Sequence, residues 1–167
     1  MPDPKDNDKV LPCLLDRLTD HNPKAQQESR QERVLSMAQY REAVLRDLAW
    51  LLNTKAHLDD EDLIENADEV RRSVLNFGFQ DVNGLSIGRV SPERLQQNLA
   101  ECIRTFEPRI IPESLSVEIQ LDREAMNSRA LCFVIHGQLW ASPSPEALYL
   151  RTEIDMESGH ANLKQEA

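Results

Sequence analysis

Glu107, Pro108 and Arg109 set a carboxylate and a guanidinium two residues apart across a proline. Proline fixes its own φ and keeps the residue before it out of helical geometry, so both charged side chains leave a rigid corner in defined directions. Three chemistries suit such a corner. As a surface ion pair it contributes on the order of 0–1 kcal/mol. As a recognition element, Arg109 reaches a partner carboxylate bidentately, with Glu107 orienting it or pairing separately. As half of a glycoside-hydrolysing pair, Glu107 would work with Glu118, which needs carboxyl groups roughly 5–9.5 Å apart and one raised pKa. Among 29 acidic residues such pairs arise by chance, so the spacing does not single out the hydrolytic reading.

No other constellation offers chemistry. His21, His57, His136 and His160 are scattered, and none stands at metal-ligand spacing from a cysteine, histidine or carboxylate. Asp59-Asp60-Glu61-Asp62 lacks the alternating ligands and the turn glycine of a calcium loop and reads as a solvated acidic segment. Nucleotide-binding glycine motifs and nucleophile elbows are missing from the sequence. No enzyme, metal or cofactor is therefore expected. Cys13, Cys102 and Cys132 are odd in number and widely spaced, as free thiols in a reducing compartment would be.

The net charge of −10 argues against nucleic acid and anionic membranes as partners, because both need clustered Lys and Arg. No apolar run approaches the roughly 18–20 residues of a membrane span, and the first residues carry no apolar signal core. A cytoplasmic protein with protein partners is expected.

The corner needs elements to hold it. Ser91 and Pro92 suit a helix start, and Leu95, Leu99, Ile103 and Phe106 form one buried stripe running to Glu107. A second helix begins at a capping box of Ser36 and Gln39, with Leu35 stapled against Tyr40. Its stripe is Tyr40, Val44, Leu48, Leu51 and Leu52, with Arg41, Glu42, Arg46 and Asp47 largely off it. Trp50 falls beside that stripe, as a core flank or as an exposed anchor, with the flank favoured. A short helix from Glu69 to Phe77, capped by Asn66 and stopped by Gly78, would turn Val70 and Val74 inward. Asp81-Val82-Asn83-Gly84 and Gly88 mark a loop.

Downstream, residues 115–122 alternate as a half-buried strand, and Asn127-Ser128-Arg129 turns the chain into a run at 130–140. That run is apolar on both faces and should be central. A third alternating strand covers 147–156, and Ser158-Gly159 ends it or begins a last hairpin. The expected class is α+β: N-terminal helices packed on a small antiparallel sheet formed by the C-terminal part. The expected organisation is a flexible arm over 1–33 with a short helix at about 12–20, one domain over 34–160, and a disordered tail over 161–167. In the arm, Leu14, Leu15 and Leu18 share a face that either folds back on the core or docks on a partner.

Four stretches follow in order: Leu14-Leu15-Asp16-Arg17-Leu18, Arg46 to Thr54, Val70 to Gly78, and Phe106-Glu107-Pro108-Arg109. Together with the strands they resemble the TssE subunits of type VI secretion baseplates, within the gene-25-like phage wedge family, over about residues 12–160. Ala49, before the tryptophan, departs from the acidic residue expected there. The resemblance implies a non-enzymatic wedge subunit that assembles with TssF, TssG and TssK and anchors the TssB/TssC sheath. The family's Glu-Pro-Arg motif falls on Glu107, Pro108 and Arg109. Alanine at either charged residue is expected to weaken assembly and leave the fold intact. The 147–156 strand is expected at a sheet edge, where Arg151 or Thr152 would turn an N–H outward for strand exchange with the sheath.

Overall fold

The computed structural model describes residues 10–19, 34–57, 68–83, 91–120 and 130–166. The acidic cluster at 59–62, the Asn66 cap, Gly84 and Gly88, His21 and the 127–129 turn lie outside them. The helices are α1 (Leu14–Leu18), α2 (Met37–Asn53), α3 (Asp68–Arg71) and α4 (Pro92–Phe106). The strands are β1 (Ser116–Gln120), β2 (Ala130–Leu139), β3 (Glu146–Asp155) and β4 (Ala161–Gln165). They form one antiparallel sheet in the order β1-β2-β3-β4. This is the α+β arrangement expected.

Both long helices start as their sequences dictate. Ser36 Oγ accepts from the Gln39 N–H at 3.3 Å, and the Gln39 side chain accepts from the Ser36 N–H at 3.0 Å, closing the capping box of α2. Ser91 Oγ accepts from the Arg94 N–H at 3.4 Å, with Pro92 in the first turn of α4. The stripe of α2 buries Tyr40, Val44, Leu48, Leu51 and Leu52, and that of α4 buries Leu95, Leu99 and Ile103. These meet Leu131, Phe133, Ile135, Leu148, Leu150 and Ile154 from the sheet in one core, with α4 against β1 and α2 against β4. On the other sheet face, Cys132 and Val134 are buried as well, as a doubly apolar inner strand requires.

Three expectations are corrected. First, β3 is not an edge. Residues 161–165, expected as a disordered tail, form β4 and pair Ile154 with Ala161 through Leu150 with Gln165. The turn that brings them back is built by Asp155, whose Oδ1 accepts from the N–H groups of Glu157 at 2.7 Å and Ser158 at 3.0 Å, and by Gly159 at φ 69°. Arg151 and Thr152 therefore lie inside the sheet, opposite Lys164 and Leu163. Thr152 is fully buried.

Second, the helix expected over 69–77 is a four-residue turn followed by a 3-10 turn at Val74–Asn76. Its apolar residues face out, with Val74 84% and Leu75 79% exposed, while Asn76 is buried. The cause is downstream. Gly78 sits at φ 139°, where an added Cβ would meet the Thr54 carbonyl oxygen at 2.5 Å. Phe79 N–H donates to that carbonyl at 2.8 Å and Ala56 N–H to the Phe79 carbonyl at 2.9 Å. This short pairing drives Phe79 into the core and leaves the preceding turn displaced from it. Third, Trp50 is 52% exposed and does not flank the core.

Leu99→Ala should cost about 2–5 kcal/mol, as cavity-forming core truncations do, whereas Leu75→Ala should stay within about 0.5 kcal/mol. Urea unfolding of both variants checks this inversion of burial.

Candidate functional site

Among the described residues the charged side chain that is fully buried is Glu107, at the Glu-Pro-Arg corner. α4 ends at Glu107, whose N–H still donates to the Ile103 carbonyl at 2.9 Å. Pro108 stops the helix and carries the chain into a turn, which folds Arg109 back onto Glu107. Arg109 Nε donates to Glu107 Oε1 at 2.7 Å and Nη2 to Oε2 at 2.5 Å, a bidentate fork. The Arg109 N–H adds a third bond to Oε1 at 3.1 Å.

The cluster continues through α2. Arg109 Nη2 also donates to Asp47 Oδ2 at 2.7 Å, and Arg46 Nε to Asp47 Oδ1 at 2.8 Å. Arg46 Nη1 reaches Asp16 Oδ1 on α1 at 2.6 Å, and the Cys13 thiol donates to Asp16 Oδ2 at 2.9 Å. Five charges thus alternate in sign from α1 to the corner: Asp16, Arg46, Asp47, Arg109 and Glu107. Glu107 is only 3% exposed, so its charge is compensated by Arg109 and not by water. Burial alone would lower the Arg109 pKa, but the hydrogen bonds and charges of Glu107 and Asp47 raise it, and the guanidinium stays charged. Behind the corner, the Trp140 N–H donates to the Arg109 carbonyl at 2.8 Å and Tyr40 OH to the Trp140 carbonyl at 3.2 Å.

The surroundings of the cluster are apolar and exposed. Arg46 lies over the Trp50 ring at 5.2 Å, a cation–π contact at the surface. Trp140 is 63% exposed. α1 buries none of its residues, so Leu14, Leu15 and Leu18 all remain open to solvent. The arm is held by Asp16 and by paired backbone bonds between Val10 and Leu35, at 3.1 and 2.8 Å.

The structure brings Glu107 and Arg109 together and joins the leucine arm to them through Arg46. It does not bring Arg151 and Thr152 to an edge. Glu118 is exposed on β1, on the sheet face shared with Val134, while Glu107 turns towards α2. The two carboxylates do not form a facing pair. The sequence places Asp47 and Arg46 largely off the apolar stripe of α2 without assigning them partners, and Tyr40, Asp16 and Trp140 give no sign of their roles. The one signal available is the position of Arg46 and Asp47 at the start of the stretch that runs to Thr54. Among the described residues no group of three or more His, Cys, Asp or Glu is placed to hold a metal ion, and no helix is long and apolar enough to cross a membrane.

A sheet backed by two helices, with its most buried charges tied to one another and the leucines of α1 and both tryptophans turned outward, defines a small α+β module. Residues 38–144 match the family described as baseplate wedge protein gp25, and the chain belongs to that family. Its role is thereby that of a structural component of a phage tail-like baseplate. Searches among curated proteins and among solved structures returned no match.

The burial of Glu107 gives its truncation a cost in stability, beside the effect on assembly expected of alanine there. Glu107→Ala should destabilise the domain by about 3–5 kcal/mol, because it leaves a half-buried guanidinium without its bidentate partner. Glu107→Gln should lose less, and thermal melts of the two variants check the order.

For the arm, burial pushes the Asp16 carboxyl up, but the Cys13 thiol and Arg46 outweigh it and hold it below the usual 3.8. A depressed pKa gives a contribution that is complete above the unfolded value and lost as pH falls through the folded one. Docking of α1 is therefore pH-independent near neutrality. Asp16→Asn should undock it at any pH, seen as faster tryptic cleavage after Arg17 with an unchanged melting temperature.

Proposed function

We propose that this chain is a non-enzymatic wedge subunit of a type VI secretion baseplate, of the TssE kind, working in the cytoplasm. It meets TssF, TssG and TssK and links the baseplate to the TssB/TssC sheath. The observation that carries the reading is the division of labour around the corner: the charges satisfy one another while the apolar side chains beside them are left uncovered. Glu107 has no oxygen free of Arg109 to offer a substrate. It acts as a brace, and the exposed Pro108, the rim of Arg109, Trp50 and the leucines of α1 are the surface a partner meets.

Large exposed side chains on a docked helix suit an apolar groove on a neighbouring subunit. A short α1 held by one ion pair and one backbone pair can present Leu14, Leu15 and Leu18 without unfolding anything else. With β3 inside the sheet, contact with the sheath passes to a true edge strand, β1 or β4.

Co-expression with the TssF and TssG proteins of the same genome tests the wedge assignment. The triple replacement of Leu14, Leu15 and Leu18 by serine should leave the melting temperature unchanged and lower co-purification by about tenfold, as loss of central apolar anchors does. Undiminished co-purification would remove the arm from the interface. Failure of the unmodified chain to co-purify would remove the assignment itself.

A further inference from the structure

Apolar side chains that reach no core need another reason for their place. Residues 70–77 carry four of them, Val70, Val74, Leu75 and Phe77, all exposed. Phe77 meets Phe106 edge to face, with ring centroids 5.5 Å apart, while Val74 and Leu75 are the most exposed of the four.

The turn that presents them is held by its own hydrogen bonds. The Ser73 N–H and Oγ both donate to the Val70 carbonyl, at 3.1 and 2.7 Å. The Asn76 N–H donates to the Ser73 carbonyl at 3.0 Å, and the Phe77 N–H to the Val74 carbonyl at 3.3 Å. The buried Asn76 side chain donates to the Arg71 carbonyl at 3.2 Å, and the Cys102 thiol of α4 to the Gly78 carbonyl at 3.2 Å. With Gly78 close against Thr54, the turn is anchored to α4 and to the end of α2. Val74 and Leu75 stand on a backbone that is already ordered, so a partner covering them pays little to fix it.

The charges beside them are of one sign. Arg71 and Arg72 are the charged residues of this stretch, in a chain of net charge −10. The Arg72 side chain is 71% exposed and lies 3.8 Å from Glu101 on α4, which is itself exposed. A surface pair of that length contributes little and leaves the guanidinium able to fork onto a second carboxylate.

We propose that Val74 and Leu75 insert into an apolar hollow of a neighbouring wedge subunit, and that Arg72 pairs with a carboxylate on the rim of that hollow. This rests on the wedge reading above and adds to it a contact separate in sequence from the leucine arm and the corner. The occupant is a protein surface apolar at its floor and acidic at its edge. Two adjacent aliphatic side chains flanked by arginine meet both features, and an acidic rim is the one a basic stretch on an otherwise acidic chain selects.

The test uses the full chain with the TssF and TssG proteins of the same genome. Val74→Ser combined with Leu75→Ser should leave the melting temperature unchanged, because neither side chain is in the core, and lower co-purification by about tenfold. Arg72→Glu should lower it by a similar factor, about tenfold, through repulsion from the rim, while Arg72→Lys keeps the charge and loses about threefold or less. Leu75→p-benzoylphenylalanine should photo-cross-link to TssF or TssG at a segment that combines apolar residues with Asp or Glu.

Normal co-purification by the double serine variant overturns the contact, and normal co-purification by Arg72→Glu overturns the acidic rim. A melting temperature that falls together with binding makes the turn a structural element and overturns the proposal. So does a dimer of the isolated chain, seen in sedimentation, that the double serine variant dissolves, because the patch then belongs to a second copy. If the unmodified chain does not co-purify, the wedge reading fails and this one with it.

Discussion

One guanidinium holds the middle of this molecule. Arg109 binds the carboxylate at the end of α4 and the carboxylate in the middle of α2, and its backbone carbonyl takes the N–H that follows β2. The two helices and the sheet therefore meet at a point fixed by directional bonds as well as by apolar contact. Hydrophobic packing tolerates sliding, whereas a bidentate fork does not. Pro108 makes this possible, because it ends α4 and forces Arg109 to fold back over two residues.

A cluster of this kind is weak evidence for stability, since hydrophobic residues of the same volume can often replace buried ion pairs without loss. Its value is specificity of arrangement. In a protein of the baseplate wedge family, whose role is structural, a fixed angle between a helix pair and a sheet matters more than a deeper energy minimum. The outer end of the cluster is tied to α1, so the placement of the arm is set by the same charges that set the corner. Arg46 serves both ends, binding Asp16 and Asp47 while covering the Trp50 ring.

The sheet shows a second constraint of the same type. Strand edges are open hydrogen-bonding surfaces, and a protein must cover them or use them. On β1 the Ile119 N–H is met by Gln96 of α4, and on β4 both backbone groups of Ala161 are met by Asn53. Both covers are side-chain amides from helices, placed where an amide can satisfy a donor or both partners of a peptide.

Much of this was legible in the chain. The capping residues and stripes of α2 and α4, the alternation of β1 and β3 and the doubly apolar β2 are properties of near neighbours in sequence, and the backbone geometry of 3.6 or 2 residues per repeat converts them directly into faces. The Glu-Pro-Arg corner was visible for the same reason, because proline acts on its immediate neighbours. What lay beyond reach depended on residues far apart. Asp47 meets Arg109 across 62 positions, and Asn53 meets Ala161 across 108. β4 has two apolar residues and exists because β3 offers it a ladder, so nothing in its own pattern sets it apart from a tail. Val74 and Leu75 looked like core, and only the close approach of Gly78 to Thr54 turns them out. Local chemistry determined which elements form and which faces they bury. The tertiary structure alone decided which charges pair and that β3 lies inside the sheet, because both depend on distances that sequence spacing does not encode.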